Sequence, residues 1–251
     1  MRIKTNEITF SALIGIVAYM FTDIIHEVIG HSSAALIAGY DITLLTSVYF
    51  KSDPINFMIG LGGPISNLVF GLLIFFILMF KSIKSYPTAL FLATVMAYNL
   101  FWFSGELLGA GFWDVKDWTY AVAQLDIGVF ARPLLIIMGV LAYSVSIKLV
   151  VNRFSNLKFR FSEITLRQSA HYAFLFGALA AIIAGLFFAP DRLSASKEGL
   201  LEMVSSLPIL FIIRSKYEKA IQITVKTNWD FYISVCIVYI LFCVTFGKGI
   251  Y

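Results

Sequence analysis

From Ile55 to Phe80 the sequence carries no charged side chain. A helix over that stretch rises about 1.5 Å per residue and outreaches a hydrocarbon layer about 30 Å thick. In lipid, backbone N–H and C=O groups must bond within the segment itself, so such a run predicts a membrane-crossing helix. Five further stretches are long and mostly apolar, with at most two charged residues each: Ile8–Ala38, Thr88–Leu108, Pro133–Val151, Gln168–Pro190 and Phe231–Gly247. Charged residues make up 14% of the chain, against about 25% in soluble domains. The expected fold is an all-α polytopic membrane protein with about six transmembrane helices, forming a single membrane-embedded domain over residues 1–251. Leu200–Ile213 is apolar enough to raise a seventh span, but it is short and holds Pro208.

The connections carry the remaining information. Ile42–Phe50 is rich in strand formers and is expected as a short strand or hairpin tucked against the bundle, where protein covers its backbone. Gly109–Phe130 reads as a Gly-, Trp- and Asp-bearing connection, and Arg153, Lys158, Arg160 and Arg167 as a basic loop. The net charge of +4 fits positive cytoplasmic loops better than nucleic-acid binding. With six spans about ten basic residues fall on the N-terminal side against about nine opposite; with seven, about thirteen against six. Both counts lean to a cytoplasmic N-terminus. The first apolar segment is expected to be retained rather than cleaved as a signal. Cys236 and Cys243, seven apart in the last apolar segment, read as small core residues. The sequence shows no internal repeat.

Within the first apolar segment lies Asp23-Ile24-Ile25-His26-Glu27-Val28-Ile29-Gly30-His31. Ionisable groups at membrane depth are costly and read first as functional. His-Glu with a second His about one turn later is how a helix offers two zinc ligands and a general base. Here the histidines are five apart, about 140° around a regular α-helix, so they would aim at different faces. A π-bulge, with i→i+5 bonding, returns the fifth residue to the first one's face, and Gly30 eases that distortion. A bulge or break between His26 and His31 is therefore expected. His26 and His31 would then be metal ligands and Glu27 the base; the alternative is a buried polar pair that only packs and hydrogen-bonds. A third ligand is needed, and Glu106, Asp114, Asp117 and Asp126 are the downstream candidates. Asp23 is a candidate to hold the His26 imidazole N–H from behind, or else a helix-end carboxylate in a wet cavity. His171, alone in its span, reads as a packed core histidine. Gly62-Gly63-Pro64 breaks an uncharged span and allows close approach of a neighbour, and Asn67 puts an amide inside the membrane.

These pieces in order resemble the site-2 protease family of intramembrane zinc metallopeptidases: His26-Glu27-x-x-Gly30-His31, then Gly63-Pro64-x-x-Asn67, then Gly109 to Trp118 with Asp114 and Asp117. The family's histidines are four apart and its aspartate sits in an Asn-Pro-Asp-Gly or Leu-Asp-Gly context, so this chain departs at both places. The resemblance covers about residues 1–120 and leaves 121–251 as additional transmembrane helices. It implies Zn2+ as cofactor and, from the Asp-Trp ending, Asp117 as third ligand with Asp114 as runner-up. It also implies Glu27 as catalytic base and Asn67 as a substrate-positioning group. The implied activity is hydrolysis of membrane-protein peptide bonds in or beside the bilayer of a prokaryotic cell membrane, with lipid and a membrane-protein substrate as partners and no nucleic acid. Two other functions stay open: a non-catalytic descendant that binds a membrane partner, and a transporter using Asp23, His26, Glu27 and Glu106 as a relay.

Overall fold

Tyr86–Trp113 forms helix α4, and its residues are buried on every side, from Leu90 through Met96, Leu100 and Phe101 to Leu107. A helix that is apolar all round belongs inside, and the helices Thr5–Asp23, Phe57–Phe80 and Ala131–Ser155 pack around this one. The computed structural model describes residues 5–54, 56–113, 117–123, 128–157, 159–161, 164–212, 221–223, 225 and 228–251. The expected candidates Asp114 and Asp126, and Lys158 of the basic loop, lie outside the described residues.

In chain order the elements are α1 (Thr5–Asp23), a π-helix (Ile24–Ser32), α2 (Ser33–Ala38), β1 (Asp41–Leu45), β2 (Phe50–Asp53), α3 (Phe57–Phe80), α4, α5 (Asp117–Ala123), a 3-10 turn (Gly128–Phe130), α6 (Ala131–Ser155), β3 (Phe159–Phe161), α7 (Leu166–Leu186), α8 (Arg192–Val204), α9 (Ile209–Ile212), β4 (Ile221–Ile223), α10 (Trp229–Phe242) and a second π-helix (Cys243–Gly247). Among the described residues six helices are long and apolar enough to cross a membrane: Asn6–Ala38, Phe57–Phe80, Tyr86–Trp113, Gly128–Ser155, Leu166–Leu186 and Trp229–Gly247. They match the six apolar stretches of the sequence and are consistent with an integral membrane protein.

Small residues set the close helix contacts. Ala173, Gly177, Ala181 and Gly185 recur every fourth residue along α7, and all are buried. Gly15 of α1 lies directly on the backbone of Ala173, and Gly185 on Ala195 and Ser196 of α8. Apolar lipid gives helices little hydrophobic reason to associate, so backbone proximity and van der Waals contact carry such interfaces. Polar ties reinforce them: the Ile164 N–H donates to Glu7 Oε2 at 3.0 Å, and the Ser11 and Ser169 hydroxyls meet at 2.7 Å. One buried apolar cluster runs from Phe10 to Cys243, drawing on α1, α4, α6, α7 and the last helix.

Several sequence expectations change. The third span begins at Tyr86 and runs to Trp113, so Gly109–Trp113 is helix rather than connection. Gly111 is a packing notch there, since a Cβ would meet Ile136 Cγ1 of α6 at 2.6 Å. Leu200–Ile213 gives no seventh span: α8 ends at Val204, a turn follows, and α9 is four residues long. Cys243 is buried but Cys236 is exposed. The reason is that α10 meets the bundle along a narrow line through Val235 and Phe242, which leaves Cys236 just off it. The strand-forming stretch does form a hairpin, with β1 antiparallel to β2 and Leu45 opposite Phe50.

Candidate metal centre

α1 passes without a turn into the π-helix, and this widening is what brings the two histidines together. The Ser33 N–H reaches back five residues to the Val28 carbonyl, and the Ser32 hydroxyl donates to the Glu27 carbonyl at 2.9 Å. These bonds satisfy carbonyls that the wider winding frees. His26 and His31 are 6% and 3% exposed, and their Nε2 atoms stand 3.2 Å apart. Asp117, the first residue of α5, closes the group: its Oδ2 lies 3.1 Å from His26 Nε2 and 3.1 Å from His31 Nε2.

Three donors thus form a triangle with edges of 3.1–3.2 Å. Ligands about 2.0–2.1 Å from a tetrahedral zinc ion stand about 3.3 Å apart, so this triangle has the size of one face of such a site. Two imidazoles and a carboxylate are a donor set that zinc accepts, and three protein ligands leave the fourth position for water. The ligand atoms of His26, Glu27 and His31 lie within 4.8 Å of one another, and Glu27 is buried with Oε2 unpartnered among the described residues. Glu27 is therefore beside the triangle without being one of its corners.

The backbone of α3 forms the wall. A Cβ on Gly63 would stand against Nε2 of both histidines, so only glycine leaves this cradle open. Gly30 is pressed equally close from the other helix: a Cβ there would meet Gly63 Cα at 2.6 Å and Gly62 O at 2.7 Å. The Ser66 hydroxyl bridges the two elements, 2.7 Å from the Ile25 carbonyl. Asn67, one turn beyond Gly63, is fully buried, with neither side-chain amide atom partnered among the described residues. An unpaired buried amide is costly, which makes Asn67 a candidate for contact with a bound group.

Ring orientation is fixed from outside the triangle. His31 Nδ1–H donates to the Ile59 carbonyl at 2.6 Å, which turns Nε2 inward toward the triangle. Phe50 of β2 stacks on the His31 ring, with centroids 5.3 Å apart, and Trp102 meets the His26 ring edge-on at 6.1 Å. Asp117 keeps 31% exposure. Partial burial pushes its carboxyl up; the imidazoles of His31 and His26 outweigh that and hold it well below the usual carboxylate range.

Other expected residues fall elsewhere. Asp23 does not hold His26: both its oxygens and His26 Nδ1 are unpartnered among the described residues. The π-helix begins at Ile24, directly after Asp23, so its winding turns His26 off the face that a continuous α-helix would have shared with Asp23. Asp23 is itself buried, at 1% exposure. Glu106 is buried on α4 outside the triangle. His171 is half-buried and bonds the Leu210 carbonyl at 2.7 Å, tying α7 to α9. Sequence reasoning did not mark Ile59, Phe50 or Ser66 as site residues. Ser66 lies in the Gly-Gly-Pro-Ile-Ser-Asn stretch and Phe50 ends the strand-forming run, which were the available signals; Ile59 acts only through its backbone and offers none.

No protein-family model matches this chain, and no curated protein or solved structure gives a match.

Proposed function

We propose that this chain is an intramembrane zinc metallopeptidase of the site-2 protease kind, hydrolysing peptide bonds of membrane proteins within or near the bilayer. The observation that carries the reading is the triangle of His26, His31 and Asp117 with the Glu27 carboxylate beside it. His26, His31 and Asp117 would hold the ion. Zinc so held would supply Lewis acidity toward a scissile carbonyl and acidify water. Glu27 would take a proton from the attacking water and return it to the departing amine. Asn67 offers an amide donor and acceptor to an extended substrate or to charge developing on its carbonyl oxygen. A substrate helix must unwind locally, since its amides are otherwise tied within the helix, and the hairpin gives the unwound strand an edge to pair with.

The six long helices would cross a prokaryotic cell membrane with the N-terminus in the cytoplasm, which labelling of single cysteines in the loops from either side would check. The function itself is tested by reconstituting the protein with single-span membrane proteins and comparing wild type with Glu27→Gln. Cleavage that needs zinc and disappears in the variant supports the proposal. Zinc binding without cleavage in the wild type would instead favour a partner-binding descendant of the same fold.

A further inference from the structure

The hairpin has two outer edges, and the chain itself occupies one of them. Beyond the second π-helix the backbone returns to β1: the Leu45 N–H donates to the Ile250 carbonyl at 2.9 Å, and the Ile250 N–H donates to the Leu45 carbonyl at 2.9 Å. The reciprocal pair is an antiparallel bridge. The Ser47 N–H donates to the Phe246 carbonyl at 3.2 Å, so the π-helix holds the turn of the hairpin as well. Gly249 makes the approach with φ of +95°, in the left-handed region that glycine adopts without penalty.

Across the sheet the order is therefore Ile250, Leu45, Phe50, and the Phe50 ring lies on His31. Both strands lie against the π-helix that carries the histidines, and the segment 246–250 meets the outer edge of β1 at Leu45. Among the described residues no further strand pairs with the outer edge of β2, the strand whose Phe50 ring lies on His31.

We infer that residues 246–250 are a resident strap: they occupy the β1 edge at Leu45 and brace the hairpin turn, so that an incoming extended peptide pairs along β2, whose Phe50 lies on His31. An unpaired strand edge is a template for any extended chain; the strap blocks the competing edge where it meets the turn. The second half of this inference rests on the peptidase reading; the first half does not.

Backbone amide exchange in detergent tests the strap directly. Deleting residues 249–251 removes both the carbonyl that accepts the Leu45 N–H and the N–H that bonds the Leu45 carbonyl, whereas Ile250→Ala keeps both. Exchange at Leu45 is expected to accelerate at least about tenfold in the truncated protein and to stay within about threefold of wild type in the alanine variant. Equal Leu45 exchange in wild type and the truncated protein would overturn the strap, whatever the protein's activity. For the peptide half, the truncation is expected to slow cleavage of a membrane substrate about tenfold, with Ile250→Ala near wild type. Faster cleavage in the truncated protein would mean that the segment competes for the receiving edge, and would overturn the assignment to β2. Absence of cleavage in the wild type would count against the peptidase reading and leave the exchange result to decide the strap.

Discussion

Two long helices of this chain end in π-helical winding, Ile24–Ser32 after α1 and Cys243–Gly247 after α10. Both press a glycine against a neighbouring backbone: Gly30 on Gly62 and Gly63, and Gly247 on the Ala184 carbonyl. The first holds His26, Glu27 and His31 and re-aims side chains. The second holds no histidine or carboxylate and re-aims a carbonyl, that of Phe246, toward the hairpin turn. The wider winding is thus a means of setting direction. What it accomplishes depends on what is carried and what faces it, and only the first faces the Asp117 carboxylate.

Substitutions that separate the two regions sharpen this contrast. The largest effect is expected at the wall both histidines share. Gly63→Ala puts a methyl group against both Nε2 atoms, and zinc content of the purified variant should fall to background. Retention of a full equivalent would mean that the cradle is not where the ion sits. Glu27→Gln comes next: loss of a positioned general base costs about 10²–10⁴-fold in rate, and the variant should keep its zinc, since Glu27 is not a corner of the triangle. If the metal left with the carboxylate, Glu27 would have to be reassigned as a ligand.

A matched pair compares the two π-helices themselves. Gly30→Ala and Gly247→Ala each force a Cβ to within 2.7 Å of backbone across the interface, and overpacking of that kind costs about 1–3 kcal/mol. Thermal unfolding in detergent should show similar losses for both. Zinc affinity should drop only for Gly30→Ala; an equal drop in both would erase the distinction drawn between the two regions. Smallest is Ser66→Ala, which strips the hydroxyl beside the Ile25 carbonyl and should cost about 1 kcal/mol of stability.

The sequence made the helices legible because lipid leaves few choices: a long uncharged run has to bond to itself. The π-winding was legible for a different reason, since histidines five apart with Gly30 between them can share a face only that way. The hairpin followed from the strand formers at 42–50. Gly109–Trp113 misled because glycine reads locally as a breaker, whereas Gly111 was there for α6 to approach. Asp117 was reachable only through a family resemblance, since nothing in the spacing alone separated it from Asp114, Glu106 or Asp126. The Ile59 carbonyl, the Phe50 stack and the Ile250 pairing were out of reach, because each is a backbone or ring contact made by elements distant in sequence.

The account turns on whether three side chains from two distant stretches hold one ion. Metal analysis of the purified protein, with and without the histidines, addresses that most directly. About one zinc per chain is expected in the wild type, falling to near none in His26→Ala/His31→Ala and in Asp117→Ala while the helical circular dichroism is kept. A wild-type protein that takes up no zinc when it is supplied, or one whose zinc survives loss of both histidines, would contradict it.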